Sequence, residues 1–124
     1  MSIDYIVNNV AITDAETGRQ CTPFETICVL PGTNESAVLQ FNLSTPPFSM
    51  DVLNKIADII EFRRQNRMKT IIHCGAGVER SPLVVAWWLY RIHGFDLDTA
   101  YKIIRVSRPM ILDRREWIST GISY

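Results

Sequence analysis

Apolar positions along this chain change their period part-way. As far as Phe41 they come in short runs broken by polar and turn-forming residues. Asp4–Ile12 reads as two short strands around an Asn8-Asn9 turn, and Thr26–Leu30 (TICVL) as a β-rich run stopped by Pro31-Gly32. Ala37–Phe41 (AVLQF) is a third strand candidate. From Ser49 to about Arg67 the apolar residues fall at Val52, Leu53, Ile56, Ala57 and Ile60, one face of a helix with Ser49 as its N-cap. Lys69–His73 (KTIIH) returns to strand character. Ser81 to about His93 is a strongly apolar helix, with Pro82 in its first turn and Gly94 at its end. Asp96 or Asp98 caps a further helix through Val106, and Asp113 is expected to cap a last short helix through Ser119. Strands alternating with helices predict an α/β fold whose central sheet is largely parallel.

Composition narrows the class. The chain has 124 residues, 47% of them hydrophobic and 21% charged, which suits one globular domain over 1–124 and argues against disorder. No apolar run approaches the ~18 residues that cross a bilayer, so no membrane association is expected. The opening MSIDYIVNN lacks a basic segment followed by an apolar core, and no secretory leader is expected. Three cysteines, an odd number, argue against a disulfide framework and for a reducing compartment, hence a cytoplasmic protein. The formal net charge is zero, yet residues 1–62 carry −6 and residues 63–124 carry +6. Ten of the thirteen bases are arginine, whose planar fork matches phosphate and carboxylate. An anionic ligand near the C-terminal half is one reading and a solvated surface the other. A nucleic-acid partner is not expected, since such proteins more often carry net positive charge.

The stretch that carries chemistry is Thr70–Leu83, TIIHCGAGVERSPL. A buried strand runs into Cys74, a five-residue loop follows, and Arg80-Ser81 open the apolar helix. Such a loop points backbone N–H groups inward, and with the helix dipole it binds an anion. Gly75 and Gly77 are expected to supply positive φ angles and close backbone approach. Arg80 can grip two oxygens at once. The same positive field favours the thiolate of Cys74, placed for in-line attack on a bound phosphorus, while the Ser81 hydroxyl is positioned to assist the departing sulfur. By chance, a cysteine six residues before an arginine flanked by His and by Ser or Thr arises with probability below ~10⁻³.

HCGAGVERS resembles the H-C-x5-R-S/T signature loop of the cysteine-dependent protein tyrosine phosphatases. RSPLVVAWWLYRIHG, AYKIIRVSRP and the early DYIVNNVAITD resemble the dual-specificity branch of that superfamily. The resemblance implies the phosphotyrosine protein phosphatase-like fold, a mostly parallel central sheet flanked by helices on both faces. It implies hydrolysis through a phosphocysteine intermediate, with neither metal nor cofactor. Matched by position, Cys74 is the nucleophile, Arg80 binds phosphate, and the amides of Gly75, Ala76, Gly77, Val78, Glu79 and Arg80 form the cradle. Ser81 assists breakdown of the intermediate and His73 orders the loop. The implied partner is a phosphorylated protein or another phosphomonoester, met by a monomer.

Two departures from that family are visible. Its general acid is an aspartate in the loop that here reads FNLSTPPFSM, which contains no carboxylate; Asn42 stands nearest by position. Asp51, just beyond, suits the first turn of a helix, with an acid role as the alternative. Glu79, beside the loop arginine, suits a salt bridge with a nearby arginine, with a substitute proton donor as the alternative. Without a donor, aryl phosphates are expected to be cleaved far better than alkyl ones, because a phenol leaves with a pKa of only ~10. A catalytically impaired relative that binds phosphorylated partners is the alternative function, and a sulfur transferase or arsenate reductase fits the motif less well. Cys28 is expected in the core, with a reversible disulfide to Cys74 as the alternative. Of the adjacent Trp87 and Trp88, one is expected in the core. Arg105, Arg108, Arg114 and Arg115 are read either as an extension of the anion site or as solvated surface.

Overall fold

The computed structural model describes residues 2–119. Strands β1 (Asp4–Val7) and β2 (Val10–Thr13) form the antiparallel hairpin expected around Asn8-Asn9, and Asn9 takes a positive φ in its turn. A short helix α1 (Ala15–Gly18) follows, capped by Asp14, whose carboxylate accepts from the Thr17 amide at 2.7 Å. Desolvation pushes the acid's pKa up, but the bonds from Thr17 together with the nearby positive charge of Arg108 hold it below the ordinary value. Strand β3 (Thr26–Cys28) and the two-residue β4 (Leu39–Gln40) are shorter than the runs Thr26–Leu30 and Ala37–Phe41 suggested. Gln40 explains part of this: its side-chain amide turns back onto the carbonyls of Glu35 and Ala37 and closes that segment as a turn.

A second two-residue strand, β5 (Phe48–Ser49), leads directly into helix α2 (Met50–Gln65). The helix is capped by Ser49, whose hydroxyl accepts from the Val52 amide, as expected. Strand β6 (Thr70–His73) leads through the loop to α3 (Arg80–His93), and α4 (Leu97–Ser107) starts at its cap Asp96, not Asp98. The last helix expected from Asp113 is absent. Asp113 accepts from the amide and guanidinium of Arg115, and the chain makes only a 3₁₀ turn, Arg115–Trp117. It then continues as β7 (Ile118–Ser119), which pairs in parallel with β5.

The main sheet has the order β1-β2-β6-β3-β4, with every pairing parallel except β1 with β2. The expected α/β class with a mostly parallel sheet therefore holds. Side chains alternate across a strand, so the faces differ. Val10, Ile12, Ile27 and Ile72 join one core with Leu53, Ile56 and Ile60 of α2, Leu83–Leu89 of α3, and Ala100, Tyr101 and Ile104 of α4. His73, on the opposite face from Ile72, packs against Gly18 of α1. One of Trp87 and Trp88 was expected in the core, and both are buried there. Each finds an acceptor that permits this: Trp87 Nε1 donates to Asn54 at 2.7 Å and Trp88 Nε1 to Glu61 at 3.1 Å.

Candidate active site

Cys74 follows the carboxyl end of β6, the central parallel strand, which is where open α/β sheets gather ligands. It is only 3% exposed. The loop from Cys74 to Glu79 then shows one repeated feature: every carbonyl in it has a donor. His73 Nδ1 lies 3.1 Å from the carbonyl of Cys74, and the Ala15 amide donates to Gly75 at 2.7 Å. Arg108 donates through Nε to Gly77 at 2.8 Å and through Nη2 to Ala76 at 3.2 Å. The Leu112 amide donates to Val78 at 2.8 Å, and the Leu83 amide to Glu79 at 3.2 Å.

A trans peptide carries its N–H opposite its C=O. Fixing the carbonyls of residues 74–79 on these partners therefore turns the amides of residues 75–80 the other way. None of those amides has an acceptor among the described residues. Elsewhere such donors are nearly always paired, and a row of open ones at a helix N-terminus has the chemistry to receive an anion. The expected loop geometry is present, with one correction. Gly77 has φ +74°, but Gly75 does not have a positive φ, and a Cβ there would meet only the Leu30 side chain at 3.7 Å.

His73 is fully buried between the loop and a polar segment that sequence reading passed over. Asn34, also buried, receives the Ser36 hydroxyl on its Oδ1 at 2.8 Å, which leaves its Nδ2 facing His73 Nε2 at 3.1 Å. The Asn34 amide then donates to Nε2, so the imidazole proton sits on Nδ1 and is donated to the Cys74 carbonyl. Burial holds the His73 pKa below the ordinary value, and the neutral ring keeps this tautomer. Gly18 is needed beside it: a Cβ would stand 2.5 Å from the ring.

Ser81 is fully buried, and among the described residues its hydroxyl has no hydrogen-bond partner, Cys74 included. Arg80 is turned toward the loop that follows β4. Its Nε donates to the Leu43 carbonyl and its Nη2 to that of Ser44, and its guanidinium lies over the Trp117 ring, 5.2 Å from the centroid. The two oxygens it grips here are thus main-chain ones. Three of its five N–H groups have no acceptor among the described residues. Glu79 pairs with Arg114 at 2.9 Å, the salt bridge expected, and Arg114 stacks on Trp117 in turn. Asn42 caps its own loop, accepting from the amide and hydroxyl of Ser44. Asp51 lies in the first turn of α2 and lines a separate groove with Leu39, Lys55 and Asp58.

The other sequence candidates resolve as structure. Arg108 is buried beneath the loop and bound to Asp4 at 2.7 Å, so it does not extend the anion site. Arg115 is held by Asp113 and Asp98, and Arg105 lies over Tyr101. All three cysteines are free, and Cys28 bonds to the Leu30 carbonyl and the Thr33 hydroxyl. Asn34 and Trp117 carried no sequence signal, because their partners lie 39 and 37 residues away.

The family pattern "Dual specificity phosphatase, catalytic domain" matches residues 2–124. The chain belongs to this family. Human dual specificity protein phosphatase 16 is 26% identical over 72 residues, which are 58% of this chain and 11% of that protein. Human dual specificity protein phosphatase 8 is 25% identical over 72 residues, again 58% of this chain and 12% of the relative. The chain thus spans a small part of those relatives' length. Among solved structures, a point variant of human DUSP28 superposes with a TM-score of 0.79 at 14% identity, covering 94% of this chain and 89% of that one. Tk-PTP in its active form gives a TM-score of 0.71 at 26% identity, covering 94% and 90%. These likenesses bear out the expected dual-specificity phosphatase fold and family.

Proposed function

We propose that this member of the dual specificity phosphatase family hydrolyses phosphomonoesters through Cys74. The Cys74 thiolate attacks phosphorus, the P–O bond to the leaving group breaks, and an S–P bond forms. Water then attacks phosphorus, inorganic phosphate leaves and the thiolate is regenerated. The amides of Gly75–Arg80 and the free N–H groups of Arg80 hold the phosphoryl oxygens, stabilising charge where it develops. The buried hydroxyl of Ser81 is the donor for the departing sulfur, and His73 keeps the loop in register. The observation that carries this reading is the row of six loop carbonyls fixed on outward partners, which leaves their amides open.

The substrates are phosphorylated proteins or smaller phosphomonoesters with an aryl leaving group. The loop after β4 offers Asn42 where a carboxylic acid would protonate the leaving oxygen. The Glu79 side chain is engaged by Arg114 at 2.9 Å, and Asp51 faces another groove. A phenolate leaves without help far better than an alkoxide. Three free cysteines fit action in a reducing compartment such as the cytoplasm.

The test compares p-nitrophenyl phosphate, phosphotyrosine and phosphoserine hydrolysis by the wild type and by Cys74→Ser. The expected result is aryl turnover that the substitution abolishes, with phosphoserine slower by ~10² or more. Turnover surviving in Cys74→Ser removes the nucleophile assignment. Equal rates on the two phosphoamino acids remove the aryl preference.

A further inference from the structure

We infer that Arg108 is a positioning residue for the phosphate loop, acting with Asp4 from the side opposite the bound anion. This rests on the reading of the loop as a phosphate site. Arg108 is 3% exposed, and all three arms of its guanidinium are engaged: Nε on Gly77, Nη2 on Ala76 and Nη1 on Asp4. The other loop carbonyls are held by His73 or by main-chain amides, from Ala15, Leu112 and Leu83. Those of Ala76 and Gly77 depend on this one side chain.

They are also the two that flank the softest point of the loop. Gly77 sits at φ +74°, a conformation open to glycine in either direction, so its peptide planes have little intrinsic reason to keep one orientation. Arg108 supplies that reason. A charge-assisted hydrogen bond on each carbonyl fixes the two planes, and the amides of Gly77 and Val78 then face the anion. The same bonds polarise the peptide units, which strengthens their N–H groups as donors. The Asp4 carboxylate, 2.7 Å from Nη1, aims the guanidinium and compensates its burial. The hairpin at the chain's beginning is thereby coupled to a loop in its second half.

The test uses the full chain as wild type, Arg108→Lys, Arg108→Met and Asp4→Asn. Competitive inhibition of p-nitrophenyl phosphate hydrolysis by inorganic phosphate is measured well below each protein's melting temperature. Loss of preorganisation predicts a phosphate Ki raised by ~10- to 100-fold in Arg108→Met, the scale of a misplaced site. Arg108→Lys, which keeps the charge and loses the fork, recovers part of that loss, and Asp4→Asn gives a few-fold rise. A purely structural role would lower the melting temperature and leave the Ki of the folded protein unchanged, and that result overturns the inference. If Arg108→Met does not fold, unchanged Ki values in Arg108→Lys and Asp4→Asn overturn it equally. A wild type that neither hydrolyses the ester nor binds phosphate removes the underlying site as well. An active, phosphate-sensitive wild type with insensitive variants removes the positioning role alone.

Discussion

Two glycines in one loop, alike in sequence, are predicted to respond oppositely to alanine. At Gly77 the backbone has φ +74°, and a Cβ would stand 2.5 Å from the Thr13 carbonyl oxygen and 2.8 Å from Arg108 Nη2. The left-handed conformation costs an alanine ~1–2 kcal/mol. Opening the closest contact from 2.5 to 3.4 Å requires a shift of about 0.9 Å. Neither neighbour can yield freely: Thr13 is paired with His73 in the sheet, and Arg108 is held by Asp4. Overpacking of this kind adds ~1–3 kcal/mol. A total of ~2–5 kcal/mol lowers the melting temperature by roughly 10 °C or more in a chain of this size. A loop displaced by most of an ångström loses ~10²-fold in kcat/KM. At Gly75 the φ is ordinary and the nearest atom, in Leu30, is 3.7 Å away, so Gly75→Ala stays within ~0.5 kcal/mol of wild type. Differential scanning fluorimetry and p-nitrophenyl phosphate kinetics on the two variants make the comparison. A Gly77→Ala protein that melts within about 2 °C of wild type and keeps its activity would falsify the steric reasoning.

Two further outcomes follow from the same geometry. Asn42→Asp places a carboxyl group on the loop that Arg80 contacts and is expected to raise hydrolysis of alkyl phosphates by ~10-fold or more, with less gain on p-nitrophenyl phosphate; an unchanged ratio of the two rates shows that position 42 does not face the leaving group. Glu61 is held near pKa 2, first by the Arg64 guanidinium and then by Trp88 and His93, against its own desolvation. Its folded value lies below its unfolded one, so its stabilisation is present above about pH 4.5 and fades as pH falls toward 2. Urea unfolding of Glu61→Gln should show a deficit of ~1–2 kcal/mol at pH 7 that narrows by about pH 3, and a constant deficit refutes the linkage.

The sequence was most legible where local chemistry and burial agree. The run from β6 through the loop into α3 announces itself because an apolar strand, a glycine-bearing loop and an apolar helix adjoin. The cap at Ser49 was legible, and that of α4 to within Asp96 or Asp98, because a cap bonds three residues ahead. What escaped depends on distant partners. Arg108 looked like one of several surface cations, and only the approach of Asp4 and the loop carbonyls makes it a buried brace. Asp113 looked like a helix cap, but the Arg115 side chain two residues on takes its carboxylate. The β5–β7 pairing is two residues long on each side, too short to leave any alternation in the sequence. Asn34 offers no pattern at all until it meets His73.

The partners that hold the loop carbonyls also set how freely this sequence can drift. Those from Ala15, Leu112 and Leu83 come from the main chain, and a substitution at these positions leaves them in place unless it introduces proline. Neutral change can therefore accumulate at the exposed Leu112 while the loop persists, whereas Ala15 and Leu83 stay constrained by their burial. Those from His73 and Arg108 are written in side chains and vanish with a single codon.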